Sequence, residues 1–241
     1  MSLRTTATYK NHRFSPEIIA HAVWLYHRFT LSFRDVEELL AERGVVVSHE
    51  AVRLWCLKFG QAFAKKLRHR RGQPGVTWYL DEMFIRLRGK RYYLWRAVDQ
   101  DGQVLDILVQ KRCNTGAANR FFRKLLKGLQ SVPNRLVTDK LRGYAAAQRT
   151  TLPSVQHCTR QYANNWAEVS HQPTRQRERH TRRFKSLRQV QRFLSAHSPI
   201  NNLFRGGGGG GRHLMKAAHY RLFRERAFTT WRAVTASQET A

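Results

Sequence analysis

The chain has 241 residues, of which 44 are Lys or Arg and 16 are Asp or Glu, so its formal charge is +28. A charge of this size repels itself and indicates a polyanionic partner, above all nucleic acid, with a membrane surface as the second choice. The sequence has no run of about 18 apolar residues and no apolar segment near its N-terminus, so we expect neither a membrane span nor a signal peptide.

The first third of the chain predicts three helices. Residues 15–29, 32–44 and 47–60 each contain an early serine that fits the N-cap position, followed by apolar residues at helical spacing. Gly44 ends the second helix. This order is the layout of a helix-turn-helix motif with a recognition helix at about 49–59. Any three-helix bundle would show the same pattern, and the overall charge is what favours DNA binding.

A basic segment follows the third helix. Residues 65–75 read KKLRHRRGQPG and combine five Lys or Arg with Gly and Pro. This composition is typical of a linker that contacts phosphate. The same residues are also consistent with a solvated tail of the preceding helix, and the two interpretations are compatible.

From residue 76 the sequence predicts a sheet. Three runs rich in aromatic and branched residues are separated by turn sequences at 88–91 and 99–102, which indicates antiparallel strands. A helix at 115–130, a short buried strand that ends at Asp139, another helix, another short strand and a long helical region follow. The fold class is therefore α/β, with a mixed sheet whose first three strands are antiparallel.

Three acids stand out from the basic background. Asp81 lies inside the apolar run TWYLDEMFIRL, where an unpaired charge is strongly disfavoured. Asp139 ends the fourth strand and Glu168 begins the last long helix, so the three can converge at one end of the sheet. Taken singly, Asp139 is equally well explained as a strand-end or capping residue, and an exposed helix glutamate would be the favoured explanation of Glu168. Glu82 should either support the metal ligands from behind or lie on the opposite face of the strand, because neighbours in a strand point oppositely, and it is given no catalytic role.

The motifs YLDE (79–82), VTDKLRGY (137–144) and NNWAEVSHQPTRQRER (164–179), together with the order of the elements, resemble the DDE transposases of bacterial insertion sequences. The resemblance is strongest to the insertion-sequence-six family and covers nearly the whole chain. It implies a ribonuclease-H-like, retroviral-integrase-like catalytic core behind an all-α helix-turn-helix domain. It also places Asn164 and Asn165 where they can cap the helix that carries Glu168.

The resemblance implies a catalytic triad of Asp81, Asp139 and Glu168 that holds two Mg²⁺ (or Mn²⁺) ions. Carboxylate oxygens are the ligands that Mg²⁺ prefers, and two ions can activate the attacking oxygen and stabilise the leaving one. Asp81 would contact both ions. The expected function is that of a transposase, which binds the terminal inverted repeats of its element, nicks at the 3′ ends and joins them to target DNA. Its partner is double-stranded DNA, both element ends and target, and a homodimer or larger assembly would hold two ends together.

The predicted DNA contacts lie in four stretches of the chain. They are His49, Arg53 and Lys58 in the recognition helix, Lys65, Lys66 and Arg68 in the basic segment, Lys140 and Arg142 after Asp139, and His171, Arg175, Arg177, Arg179, Arg182 and Arg183 after Glu168. Lys and Arg supply affinity without sequence specificity, so base reading should fall to the N-terminal helices. Arg175 matches a basic position of the family. His171 is explained almost as well as a surface histidine.

These assignments divide the chain into a helix-turn-helix region (1–64), a basic linker (65–75), a catalytic core (76–200) and a C-terminal helical segment (201–241). The hexaglycine tract at 206–211 is a departure from the family and predicts a flexible loop. Three widely spaced cysteines without a CxxC pair favour a reducing, cytoplasmic setting. The resemblance implies association with the nucleoid of a bacterium. Two alternatives stay open: a nuclease of the same fold that does not join ends, and a transposase-derived DNA-binding protein without catalysis.

Overall fold

The computed structural model describes residues 9–139, 142–160, 164, 184–205 and 216–236. They form two compact units. The helical unit consists of the chain up to Arg70 together with the chain from Ser195 onwards, and the sheet unit consists of Arg71–Leu194. The predicted boundaries at residues 64, 75 and 200 stay predictions. None of the helices in the described ranges has the length and apolar character required to cross a membrane.

The helical unit begins with three helices, α1 (Pro16–Arg28), α2 (Phe33–Ala41) and α3 (His49–His69). Their N-caps are the serines that the sequence predicted, since each side chain accepts a hydrogen bond from a backbone N–H of the first turn. Helix α3 is longer than the predicted recognition helix. It continues to His69, so the first residues of the basic segment form the helical tail that the sequence left open as an alternative.

Two later segments complete the core of the helical unit. They are α6 (Leu187–Leu203), whose residues from Ser195 onwards belong to this unit, and α7 (Ala217–Thr235). Ile200 and Trp231 are buried in one cluster with Phe59 and Phe63 of α3, and the rings of Phe63 and Trp231 meet edge to face at 5.4 Å. The N-terminal helices therefore bury their apolar faces partly against residues from the end of the chain.

In the described part of the sheet unit there are five strands, with two helices between them. These are β1 (Thr77–Leu87), β2 (Lys90–Asp99), β3 (Val104–Gln110), α4 (Thr115–Leu129), β4 (Arg135–Val137), α5 (Arg142–Thr151) and β5 (Gln156–Cys158). The strand order is β3-β2-β1-β4-β5, with β1, β2 and β3 antiparallel and β4 and β5 parallel to β1. This topology confirms the predicted mixed sheet.

The two faces of β1 have different surroundings. One face presents Trp78 and Leu80, which are fully buried in a cluster with Trp95 of β2 and with residues of α4 and α5. The other face presents Asp81, and the antiparallel register places Arg96 of β2 directly opposite it. Directly opposed residues of a ladder have neighbouring side chains on the same face. Arg96 is 2% exposed, so a charged guanidinium lies inside the sheet unit next to the strand position of Asp81.

We predict that Arg96→Met lowers the free energy of unfolding by about 2 kcal/mol, because Asp81 loses the buried cation that faces it in the ladder. Chemical denaturation in metal-free buffer measures this loss. Arg86→Met is the matched control, since Arg86 lies on the exposed part of β1, and it should change stability by no more than about 0.5 kcal/mol. Equal stabilities of the two variants would contradict the prediction.

Candidate active site

Three carboxylates meet at one place in the sheet unit. Asp81 and Glu82 lie in the middle of β1, and Asp139 follows β4 by two residues. One carboxylate oxygen of each residue lies within 4.8 Å of the other two. Asp81 and Glu82 are half-buried and Asp139 is exposed, so the group opens to solvent on the side of Asp139. The structure thus brings together two of the three acids that the sequence singled out, and it adds Glu82.

The sheet register explains how side chains from both faces of β1 can meet. β1 pairs with β4 through Thr77, Trp78 and Tyr79 only, whereas its pairing with β2 runs from Trp78 to Leu87. In the described part of the chain no strand pairs with β1 beside residues 81 and 82 on the β4 side. Asp139 lies just past the end of β4, so side chains from either face of β1 can reach its carboxylate.

Glu82 is held by two neighbours in this group. The hydroxyl of Tyr144, on α5, donates a hydrogen bond of 2.7 Å to Oε2 of Glu82, and the thiol of Cys113 also hydrogen-bonds the carboxylate. Burial raises the pKa of Glu82 to about 7, and the charges of Asp139 and Asp81 act in the same direction. Pleat alternation predicts that Glu82 leaves β1 on the face opposite Asp81, but it does not predict that the carboxylate approaches both aspartates.

Tyr144 is held in place by the aromatic side chains packed around it. It is fully buried, and its ring lies 5.3 Å from that of Trp95 and 6.3 Å from that of Phe122. Burial and the charge of Glu82 raise the pKa of its hydroxyl, so the hydroxyl remains a hydrogen-bond donor. Burial likewise raises the pKa of the Cys113 thiol to about 12, with further contributions from Glu82 and Asp139. Both groups therefore face Glu82 in their neutral, donating forms.

Asn164 connects β1 to the segment that leads towards Glu168. Its side-chain amide donates a hydrogen bond of 2.7 Å to the carbonyl oxygen of Leu80, the residue before Asp81. Leu80 lies just past the last residue of β1 that pairs with β4. Asn164 is buried, so this bond satisfies a carbonyl that the ladder with β4 does not reach. Glu168 itself lies outside the described residues.

The candidate base-reading residues are held by neighbouring side chains on the surface of the helical unit. Nε and Nη2 of Arg53 donate to both carboxylate oxygens of Glu50, at 2.8 and 2.6 Å. Nδ1 of His49 lies 3.2 Å from Glu37. Nζ of Lys58 lies 2.8 Å from Nε2 of His12.

The other predicted DNA contacts stay predictions, and the structure describes only some of them. Lys65 and Lys66 are half-buried on α3, and the guanidinium of Arg68 donates to the backbone carbonyl of Ser195. Burial and nearby Arg70 lower the pKa of Lys66. The remaining predicted contacts lie outside the described residues or, for Arg142, have an undescribed side chain: Lys140, Arg142, His171, Arg175, Arg177, Arg179, Arg182 and Arg183. The hexaglycine tract is also outside the described residues.

The carboxylate group fits a hard divalent cation. Carboxylate oxygens are preferred by Mg²⁺ and Mn²⁺, and three of them from rigid strands and a strand end provide a preformed set of ligands. Among the residues that the structure describes, this is the one group of three or more acidic, histidine or cysteine side chains close enough to hold a metal ion.

Comparison with known proteins agrees with this geometry. A family model described as a DDE domain matches residues 75–207. The transposase for the insertion sequence-like element IS431mec of Staphylococcus aureus is 30% identical over 198 residues, which are 80% of this chain and 87% of that protein. The transposase for insertion sequence element IS257 in transposon Tn4003, also from Staphylococcus aureus, is 29% identical over the same lengths.

Among solved structures, the catalytic domain of the Mos1 transposase is similar with a TM-score of 0.41 and 14% identity, over 77% of this chain and 96% of that one. The family assignment depends on the domain match, which covers more than half of the chain, and on the two relatives. On these grounds the chain belongs to the DDE transposases of bacterial insertion sequences, within the insertion-sequence-six family.

Proposed function

We propose that Asp81, Asp139 and Glu168 form the catalytic site at which this transposase nicks the ends of its element and joins them to target DNA. The observation that carries the proposal is the meeting of Asp81 and Asp139, which are far apart in sequence and come from two strands that are paired for three residues. Carboxylates placed this close repel one another, so the arrangement is favourable when a cation or a proton offsets their charge.

The proposed cofactor is a pair of Mg²⁺ or Mn²⁺ ions held by Asp81, Asp139 and Glu168. When bound, such ions lower the pKa of an attacking water or hydroxyl and stabilise charge on the leaving oxygen. The protein's own contribution is orientation. β1 fixes the backbone of Asp81 through its full pairing with β2, and the Asn164 side chain ties the segment before Glu168 to Leu80.

The helical unit is proposed to read the terminal inverted repeats through His49, Arg53 and Lys58. The side chain of Arg53 makes a two-pronged contact with Glu50, and the same fork fits the N7 and O6 acceptors of guanine. Glu50 would hold the guanidinium in the free protein and release it to the base. Lys58 is exposed, and its Nζ lies 2.8 Å from Nε2 of His12, so the ammonium is at the surface, where it can contact a phosphate beside the bases that are read.

The basic stretch after Glu168 and the tail of α3 are proposed to contact the DNA backbone, because Lys and Arg at these positions would neutralise backbone phosphates. Two element ends have to be held together for transposition, so we propose that the active form is a dimer or a larger assembly. We also propose that the protein acts in the bacterial cytoplasm, where its substrate is found.

A nuclease that does not join ends and a DNA-binding protein without catalysis are the competing functions. A strand-transfer assay with labelled terminal-repeat DNA and Mg²⁺ separates the three. Joined product supports the transposase, cleavage without joining supports the nuclease, and a mobility shift without cleavage supports the binding protein.

Replacing Asp81 or Asp139 by Asn should reduce strand cleavage and joining by at least about 1,000-fold while terminal-repeat binding persists, because the amide cannot supply the anionic oxygen that a divalent ion requires. The assay measures joined product against Mg²⁺ concentration. Asp101→Asn is the matched control, since Asp101 lies in the exposed turn between β2 and β3. Retention of cleavage by Asp81→Asn would refute the triad.

Replacing Arg53 by Ala should reduce the preference for terminal-repeat over scrambled DNA about tenfold, because one two-pronged base contact contributes about 1–3 kcal/mol of discrimination. Fluorescence anisotropy at one fixed salt concentration measures both affinities. Lys127→Ala, on the exposed side of α4, removes the same charge and should leave the ratio unchanged. If Arg53→Ala weakens both DNAs equally, Arg53 contacts the backbone and reads no base.

A further inference from the structure

Glu82 has a place in the site that the triad does not explain. Its carboxylate lies within 4.8 Å of both Asp81 and Asp139, although its side chain leaves β1 on the opposite face. Mg²⁺ binds oxygen at about 2.1 Å, so two oxygens on opposite sides of one ion are about 4.2 Å apart. The three carboxylates are therefore already close to the spacing that shared coordination of one ion requires.

The simplest alternative is that Glu82 is a buried polar residue that serves only to satisfy the hydroxyl of Tyr144. A half-buried acid beside two others is an unfavourable way to satisfy one hydroxyl, because a neutral amide or a carbonyl would accept the same bond. The alternative also leaves unexplained why the acid is directed towards Asp139, which is exposed and lies beyond the end of β4.

The surroundings of Glu82 are those of an oriented ligand. The fully buried Tyr144 donates to Oε2, and the Cys113 thiol is a second hydrogen-bond partner. Residues that bind metals through carboxylates are commonly held by outer hydrogen-bond donors in this way, which fixes the direction of the coordinating oxygen. Tyr144 is itself locked by ring contacts with Trp95 and Phe122, so the direction is set by a rigid part of α5 and the sheet.

We propose that Glu82 is a further carboxylate ligand of the divalent cation held by Asp81 and Asp139, and that Tyr144 is a positioning residue that directs its free oxygen to the ion. The inference rests on the proposed function, since it assumes that Asp81 and Asp139 bind metal. In the site so formed, β1 contributes two adjacent ligands from its two faces, and the end of β4 contributes the third.

The test measures Mn²⁺ binding to the full-length, DNA-free protein by titration calorimetry, together with the Mn²⁺-dependent rise in melting temperature. Glu82→Gln should weaken Mn²⁺ binding at least about tenfold, and Tyr144→Phe should weaken it about tenfold, as loss of an outer hydrogen bond does in other metal sites. Asp101→Asn is the control for the lost charge. Tyr93→Phe is the control for the lost hydroxyl, because Tyr93 packs against the same apolar cluster.

A purely structural role gives a different result. Glu82→Gln and Tyr144→Phe would then change the melting temperature of the metal-free protein. Their Mn²⁺ affinity and their Mn²⁺-dependent rise in melting temperature would equal those of the wild type. That result overturns the inference. Glu82→Asp, which retains the carboxylate on a shorter side chain, should recover part of the affinity lost in Glu82→Gln.

Asp81→Asn separates failure of the inference from failure of the proposed function. If Asp81→Asn weakens Mn²⁺ binding and Glu82→Gln does not, the triad stands and the role of Glu82 falls. If Asp81→Asn binds Mn²⁺ as tightly as the wild type does, the metal site itself is wrongly assigned.

Discussion

The end of the pairing between β1 and β4 is the constraint on which the site depends. β1 is held along nearly its whole length by β2, but β4 accompanies it for only three residues. Beyond that point no strand of the described residues covers this edge of β1, so side chains from both faces can reach it, and Asp139 follows the end of β4 to the same place. A longer β4 would fill this space with backbone, and the three carboxylates could not lie close to one another.

The charge distribution follows from the same arrangement. A protein with a charge of +28 attracts polyanions over much of its surface, which brings DNA near but does not place it. The carboxylate group is the opposite extreme, a cluster of acids that would repel a phosphate. A divalent cation reconciles the two, because it is attracted by the acids and in turn attracts the phosphate. Attraction of DNA and chemistry at the phosphate therefore require charges of opposite sign in one molecule.

Local rules predict much of this structure. The serine caps, the three antiparallel strands and the positions of Asp81 and Asp139 follow from residue patterns that act over a few positions. The approach of Glu82 could not be predicted this way. Alternation along a strand gives the direction in which a side chain leaves, but the end of the neighbouring strand decides where a long side chain can go. Tyr144 likewise becomes a partner of Glu82 only through the packing of α5, which no pattern near Glu82 encodes.

The packing of Ile200 and Trp231 with Phe59 and Phe63 has a consequence for the order of folding. The sheet unit is formed from one continuous stretch, Arg71–Leu194, whereas the helical unit needs residues from both sides of it. During synthesis the first three helices leave the ribosome early, yet part of their core arrives only after the whole sheet unit has been made. The sheet unit can therefore complete its core first, and the N-terminal helices have to wait with apolar surface exposed until α6 and α7 cover it.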